Sequence, residues 1–481
     1  MTRFTMSAQR LRGGMEDLPT YIGRVSIWLA TLACVLALNG CATYSNSFAI
    51  IKQQLAEQHY DEALKSIEDQ SGDKRDRALY LLNKGMVQRM KRDFVASNES
   101  LEAAKQEMER LYAESVSEHA LSFMVNDATV SYAGDDYEQV LVHLYMALNY
   151  LELGQPNEAR VEALQIDLKL REIAEKIPDS KFTEDALSRQ LTGMIYDELG
   201  EWSDAMIAYR KAYEAYKKNR AHFSIDVPTM LQFDLLRLAR QQGLADELAR
   251  YQQEFSVAST KETTASSEAE GELVFILNNG LAPIKREKVI GMWTPPPAVA
   301  VDASKRAKNT DTTPTTPPVL INLALPYYES RPSRVACARI SVSGKQADTQ
   351  IMEDIDTIAR ASLAARMPAI TARAVARAIA KGVMQESVDK SAQRRDDAAT
   401  KMIGSLLVRV VTIATERADT RSWLTLPANV QLARLSLPPG SYDVTVELLG
   451  KDQNLIATRV YPQVTIRQAR KTYLSQHSMP Y

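Results

Sequence analysis

From Ala186 to Lys218 the chain reads ALSRQLTGMIYDELGEWSDAMIAYRKAYEAYKK, and no other stretch constrains the fold as much. Apolar residues recur at helical spacing on both sides of Gly200, which describes two helices folded back on each other. Small Gly193 and Ala205 let the pair approach closely, while Tyr196, Trp202 and Tyr209 stand where they fill space between neighbouring units. A helix hairpin of this kind cannot bury its apolar face alone. A chain that carries one must carry others and stack them.

Gly193, Tyr196, Gly200, Trp202, Ala205, Tyr209 and Ala212 fall on the small and aromatic positions of the tetratricopeptide repeat. Weaker copies follow the same pattern: Tyr60 with Ala63; Gly85, Phe94, Ser97 and Ala104; Tyr150, Gly154 and Ala159; and Gly243 in a degenerate last unit. The expected turns at Gln58, Arg92, Gly154, Gly200 and Gly243 are separated by 34, 62, 46 and 43 residues. Only the first interval equals the tetratricopeptide period, so the later units need longer helices or inserted loops. Residues 41–257 are therefore expected to form a tetratricopeptide-like helical repeat domain.

The period changes after that. Residues 258–270 are a polar linker, and ELVFILNN, Glu272–Asn279, opens a β-rich domain expected over 271–481. An Ala-rich helical hairpin, broken at Pro368, is expected as an insertion at about 350–418. The fold class is α+β, mainly α.

Ser26 to Asn39 is an apolar run too short to span a bilayer and suited to the core of a signal peptide, with Arg24 just before it. It ends in Leu38-Asn39-Gly40-Cys41, which resembles the bacterial lipobox. That resemblance implies cleavage after residue 40, acylation of the Cys41 thiol, and a chain confined to a membrane face. Ala42 in the next position implies the outer membrane, facing the periplasm. Of the three cysteines, Cys34 leaves with the signal peptide, Cys41 is capped and Cys337 is expected as a buried filler in a strand.

Two segments are candidates for partner binding. Residues 101–140 hold nine acidic and two basic side chains, with Asn126, Asp127, Tyr132, Asp135, Asp136, Tyr137 and Glu138 packed close together. They read as a ligand loop or as a solvated loop whose carboxylates cap helices, and they lack the alternation of a calcium loop. Tyr150, Tyr196 and Trp202 join them as candidate partner-binding aromatics. From Arg360 to Lys381 five basic residues and no acidic one lie on an apolar background. That helix suits packing on protein, a membrane surface, or the acidic loop itself.

With 58 Lys+Arg against 60 Asp+Glu, the chain has no basic excess for nucleic acid. No G-x-S-x-G, H-E-x-x-H, P-loop, G-x-G-x-x-G or C-x-x-C occurs, and the five histidines are scattered, so no catalytic, cofactor or metal residue is assigned. LNGCATY, VNDATVSYAGDDYEQVLVHLYMALNYLELG, ELVFILNNGLAPIK, ADTRSWLTLP and LPPGSYDV together resemble a family of proteobacterial outer-membrane lipoproteins with tetratricopeptide-like repeats. The resemblance implies a role in cell-envelope assembly or maintenance. The expected function is a non-enzymatic, lipid-anchored scaffold that binds a protein or peptide partner in the periplasm. Two alternatives stand beside it: a membrane-interacting assembly protein acting through 360–381, and an envelope enzyme built from Asp, Glu and Arg.

Overall fold

The structure, a computed structural model, describes residues 48–122, 130–176, 184–255, 270–294, 319–392 and 417–479. The apolar run before Cys41, Cys41 itself, Asn126 and Asp127 lie outside them. Ten helices come first: α1 (Ala49–Ala56), α2 (Tyr60–Asp69), α3 (Arg77–Met90), α4 (Phe94–Ser122), α5 (Asp136–Glu152), α6 (Pro156–Lys176), α7 (Ala186–Glu198), α8 (Trp202–Phe223), α9 (Thr229–Gln241) and α10 (Ala245–Glu254). They pair in order as five hairpins. Among the described residues, no helix is long and apolar enough to cross a membrane.

The five hairpin turns share one backbone geometry. Gln58, Arg92, Gly154, Gly200 and Gly243 all take left-handed φ values between 61° and 76°. In each turn the next residue's N–H reaches back to the last helical turn, as in Glu201 N to Tyr196 O at 2.8 Å and Asp93 N to Gln88 O at 2.9 Å. This closure satisfies carbonyls that a helix end otherwise leaves open. Inside the hairpins, small residues set the approach. A Cβ on Gly193 would sit 2.4 Å from the Tyr209 ring, and one on Gly85 would sit 2.7 Å from Leu101.

Among the described residues the β-part has three sheets. One has the strand order β10-β1-β7-β6, from β1 (Gly271–Asn279), β6 (Gln350–Asp354), β7 (Asn429–Leu437) and β10 (Lys471–Ser478). A second has the order β5-β4-β8-β9, from β4 (Cys337–Val342), β5 (Lys345–Asp348), β8 (Gly440–Leu449) and β9 (Leu455–Ile466). These two share one core, with Leu273, Phe275 and Leu277 of β1 against Ala338, Ile340 and Val342 of β4 and Val444 and Val446 of β8. The third is the antiparallel pair of β2 (Ile284–Thr294) and β3 (Val319–Glu329).

Strand β1 is buried on both faces: Val274 and Ile276, which alternate with the core residues, are as enclosed as they are. The cover on the second face is the helical array. The first helix of each of the last four hairpins reaches the β-part. Asn83 of α3 accepts from Thr425 N at 3.1 Å, and Tyr145 of α5 donates to Asn278 at 3.2 Å. Lys471 Nζ meets Asp197 of α7 at 2.7 Å, and Arg434 binds both oxygens of Asp234 of α9 at 2.8 Å. The array expected over 41–257 and the β-rich part expected over 271–481 accordingly form one compact unit from residue 49 onward. A sheet with apolar side chains on both faces cannot stand as a separate domain with one face in water.

Three local expectations need correction. The insertion begins later than residue 350, because Gln350–Asp354 pair with β7 as strand β6. Its helix α11 (Ile355–Ala392) runs through Pro368 without ending there. A proline removes one backbone bond, while Ala374 and Ala378 of α11 pack against Leu323 of β3 and hold the helix together. The return half of the expected hairpin lies outside the described residues. Cys337 is half-buried, because strand alternation turns Ala338, Ile340 and Val342 into the core and Cys337 to the opposite side.

Candidate functional site

The end of the acidic segment, residues 130–140, lies in the seam between array and β-part. Ahead of α5 the chain is pinned by Tyr132 N donating to Arg75 O at 2.8 Å. Asp135 then caps the helix, with its own N–H donating to Glu138 Oε2 at 3.0 Å, a capping-box contact across the first turn. The reason for this local start lies in the sequence: Asp-Asp-Tyr-Glu places acceptors around the unpaired N–H groups and the positive end of the helix dipole.

Glu138 is wholly buried and accepts four hydrogen bonds. Donors are Tyr132 Oη at 2.5 Å, Asp135 N at 3.0 Å, Tyr137 Oη at 3.3 Å and Trp423 N at 2.7 Å. Burial, and then the charge of Asp135, push its pKa up to about 7, against the pull of Tyr132, Lys285 and the Trp423 N–H. Asp135 shifts the other way. Burial alone would raise it, but Lys285 Nζ at 3.0 Å and Arg366 Nη1 at 2.6 Å outweigh burial and hold it below the ordinary carboxylate range. Tyr328 Oη adds a contact at 3.3 Å. Lys285 comes from β2, Tyr328 from β3, Arg366 from α11 and Trp423 from the segment before β7, so four distant segments close on the start of one helix.

Beside this cluster, Arg421 lies over the Tyr132 ring at 5.3 Å and pairs with Asp419 at 2.8 Å and Asp76 at 2.9 Å. Trp423 is fully enclosed and meets Tyr145 edge-on at 6.1 Å. These side chains bind each other. All four carboxylate oxygens of Asp135 and Glu138 have protein donors, so the chemistry available here is the locking of chain segments. An active site built from these two carboxylates would need at least one oxygen turned to a cleft.

The candidate partner-binding residues thus separate. Tyr132, Asp135, Tyr137 and Glu138 are buried and already paired, which corrects their reading as a ligand loop open to a partner. Asp136 is half-buried next to Arg366, and its pKa is raised by burial. Tyr150 and Tyr196 are half-buried elsewhere on the array; Arg160 lies 5.7 Å from the Tyr196 ring. Trp202, expected to fill space between repeats, is 47% exposed at the start of α8.

The basic stretch of α11 is turned mainly to protein. Arg360 bonds Asp356 at 2.8 Å and the Tyr328 carbonyl at 2.6 Å, Arg366 holds Asp135, and Arg377 is buried. The structure thereby joins the acidic and basic segments that the sequence leaves unconnected. Lys285 has no marker in the sequence: it sits in the run Lys285-Arg286-Glu287-Lys288, and nothing local distinguishes it from its charged neighbours.

A cleft of about 190 Å³ lies between α4 and α6 over α5, lined by Lys105, Met108, Glu109, Gln139, Val142, His143, Lys169 and Glu172. At its base His143 Nδ1 is 2.7 Å from Glu162 Oε2, both buried. Lys105 pairs with Glu102 and Lys169 with Glu172. Among the described residues no group of three or more His, Cys, Asp or Glu is arranged to hold a metal ion.

No family model matches this chain, and no curated protein matches it. Among solved structures, it is similar to the apo form of RapI at 15% identity and a TM-score of 0.34, over 52% of this chain and 63% of that one. It thus spans less than two thirds of RapI. It is also similar to MamA at 14% identity and a TM-score of 0.28, over 44% of this chain and 95% of that one.

Proposed function

We propose that the protein is a lipid-anchored scaffold of the bacterial cell envelope that holds a protein partner against a membrane face. The observation that carries the partner-binding half is a row of apolar side chains on the outward side of α6. Val161, Leu164 and Leu168 are 54%, 43% and 56% exposed, at helical spacings of three and four. Surface apolar residues are common singly, and an aligned row of them on one helix supports a contact surface there. The inner helices are covered by the chain's own sheet, so a partner meets the array from the outside.

Anchoring rests on the lipobox-like LNGC at 38–41, only a few residues before α1 begins at Ala49. An acyl anchor with so short a tether raises the effective concentration of array and partner at one membrane face. Crosslinking in intact envelopes tests both halves. A Leu164→Asp/Leu168→Asp double variant should fold and stay in the membrane fraction yet lose its crosslinked partner. A Cys41→Ser variant should leave the membrane. An unchanged partner set in the first variant would sink the outer-face reading, and membrane retention of the second would sink the anchor.

A further inference from the structure

A second place on the seam brings two buried carboxyls to one small pocket. Asp185 is the N-cap of α7, where its Oδ1 accepts from Ser188 N at 2.8 Å, and Glu353 lies on β6 at the edge of the sheet. The two are 2% and 4% exposed and line the same small pocket. Asp185 Oδ2 and Glu353 Oε2 each lack a donor as long as both groups are ionised. They border a small, partly open pocket of about 20 Å³, whose other walls include apolar Leu187, Ile225, Met352 and Ile358 and polar Glu184, Asn219 and Asp354.

The surrounding charges do not neutralise the pair. From α7 and the residue before its cap come Arg189 and Glu184. Arg189 is already engaged, by Glu184 at 3.2 Å and by Asp167 of α6. From β6 comes Asp354, which accepts from Thr357 N at 3.1 Å and from Thr357 Oγ1 at 2.8 Å. From α8 come Tyr216, whose hydroxyl donates to the Met352 carbonyl at 3.1 Å, and the uncharged Asn219. From α11 only Ile358 is present in the lining.

We propose that Asp185 and Glu353 share one proton and act as a pH-sensitive latch between the helical array and the sheet. Two buried like charges facing one small pocket, each with an unpartnered oxygen, cannot both persist, whereas one proton lets one carboxyl donate to the other. The direction of titration agrees. Burial, then Asp185 and Asp354, push Glu353 well above the ordinary carboxylate range, and burial raises Asp185 despite the pull of Ser188 and of the Arg189 charge. Because the folded-state values are raised, the latch stabilises fully at pH below the ordinary carboxylate values. Its contribution is lost as pH rises through the raised ones. Alkaline conditions therefore loosen β6 from α7 at this point.

The test compares the full chain in detergent with Glu353→Gln and with Asp185→Asn, which keeps the cap on Ser188. Each amide supplies the donor permanently. Both variants should match or exceed the wild-type melting temperature, by a margin that widens from pH 5 to pH 9 and reaches about 3 °C. The infrared band of a protonated carboxyl, present in the wild type at pH 7, should weaken in both. Parallel melting curves across that pH range, or an infrared band unaffected by either change, would overturn the latch. The infrared reading decides the matter even where one variant folds poorly.

Discussion

At the scale of single residues, a buried charge is kept only with its partners. Asp135 lies between Lys285 and Arg366, and Lys285 is itself almost fully enclosed. Replacing Asp135 with Ala leaves that ammonium buried without its carboxylate. The expected cost is about 3–5 kcal/mol, measured by urea denaturation; a change under about 1 kcal/mol would mean that water reaches Lys285. Glu138 has the opposite sign of shift. Its folded pKa stands at about 7, above the ordinary 4.5. Its share of stability is complete below the ordinary value and lost as pH rises through about 7. A Glu138→Gln variant should therefore lose less stability than the wild type between pH 6 and pH 8. A steeper loss in the variant would contradict that assignment. The capping role of Asp135 is legible in the local sequence, because Asp followed three residues later by Glu is a helix-start signal. Its pairing with Arg366, 231 residues away, has no local signature at all.

At the scale of elements, the five hairpins rest on two different glycine requirements, and these can be separated. Gly193 is needed for space, since a Cβ there would meet the Tyr209 ring at 2.4 Å. Gly193→Ala should lower stability by about 1–3 kcal/mol through overpacking. Gly200 has open space around it but a φ of 76°. Gly200→Ala should cost about 1 kcal/mol through backbone strain alone. Thermal melts of the two single variants and a Gly193→Ala/Tyr209→Leu double variant check this: the smaller ring partner should recover part of the first loss and has no bearing on the second. Hairpin turns were readable because helix periodicity and turn chemistry both act within a few residues. The helix through Pro368 was not, because the packing that sustains it comes from β3, at Leu323.

At the scale of the whole molecule, array and β-part share a seam of buried pairs: Arg89 and Glu152 with Ser475, Arg434 with Asp234, and Lys471 with Asp197. Such a seam makes separate melting of the two parts costly, since each would expose an apolar face and unpaired charges. Calorimetry should show one cooperative transition for the array and β-part together. Two well-separated transitions would mean that the polar linker expected at 258–270 does divide independent domains. The apolar row Val161–Leu164–Leu168, by contrast, lies away from this seam and is where a partner is expected to add stability on binding.

The sequence by itself determined the local units: helix hairpins with their turns at Gln58, Arg92, Gly154, Gly200 and Gly243, and the alternating strands. Each of these depends on neighbours a few residues apart, where periodicity, capping and turn chemistry act. Only the tertiary structure decided that the array's inner helices are covered by the chain's own sheet, and that Asp135 closes on Lys285 and Arg366 inside the molecule. Whether a charged side chain faces water or a buried partner depends on which distant segment folds over it, and linear spacing carries no record of that.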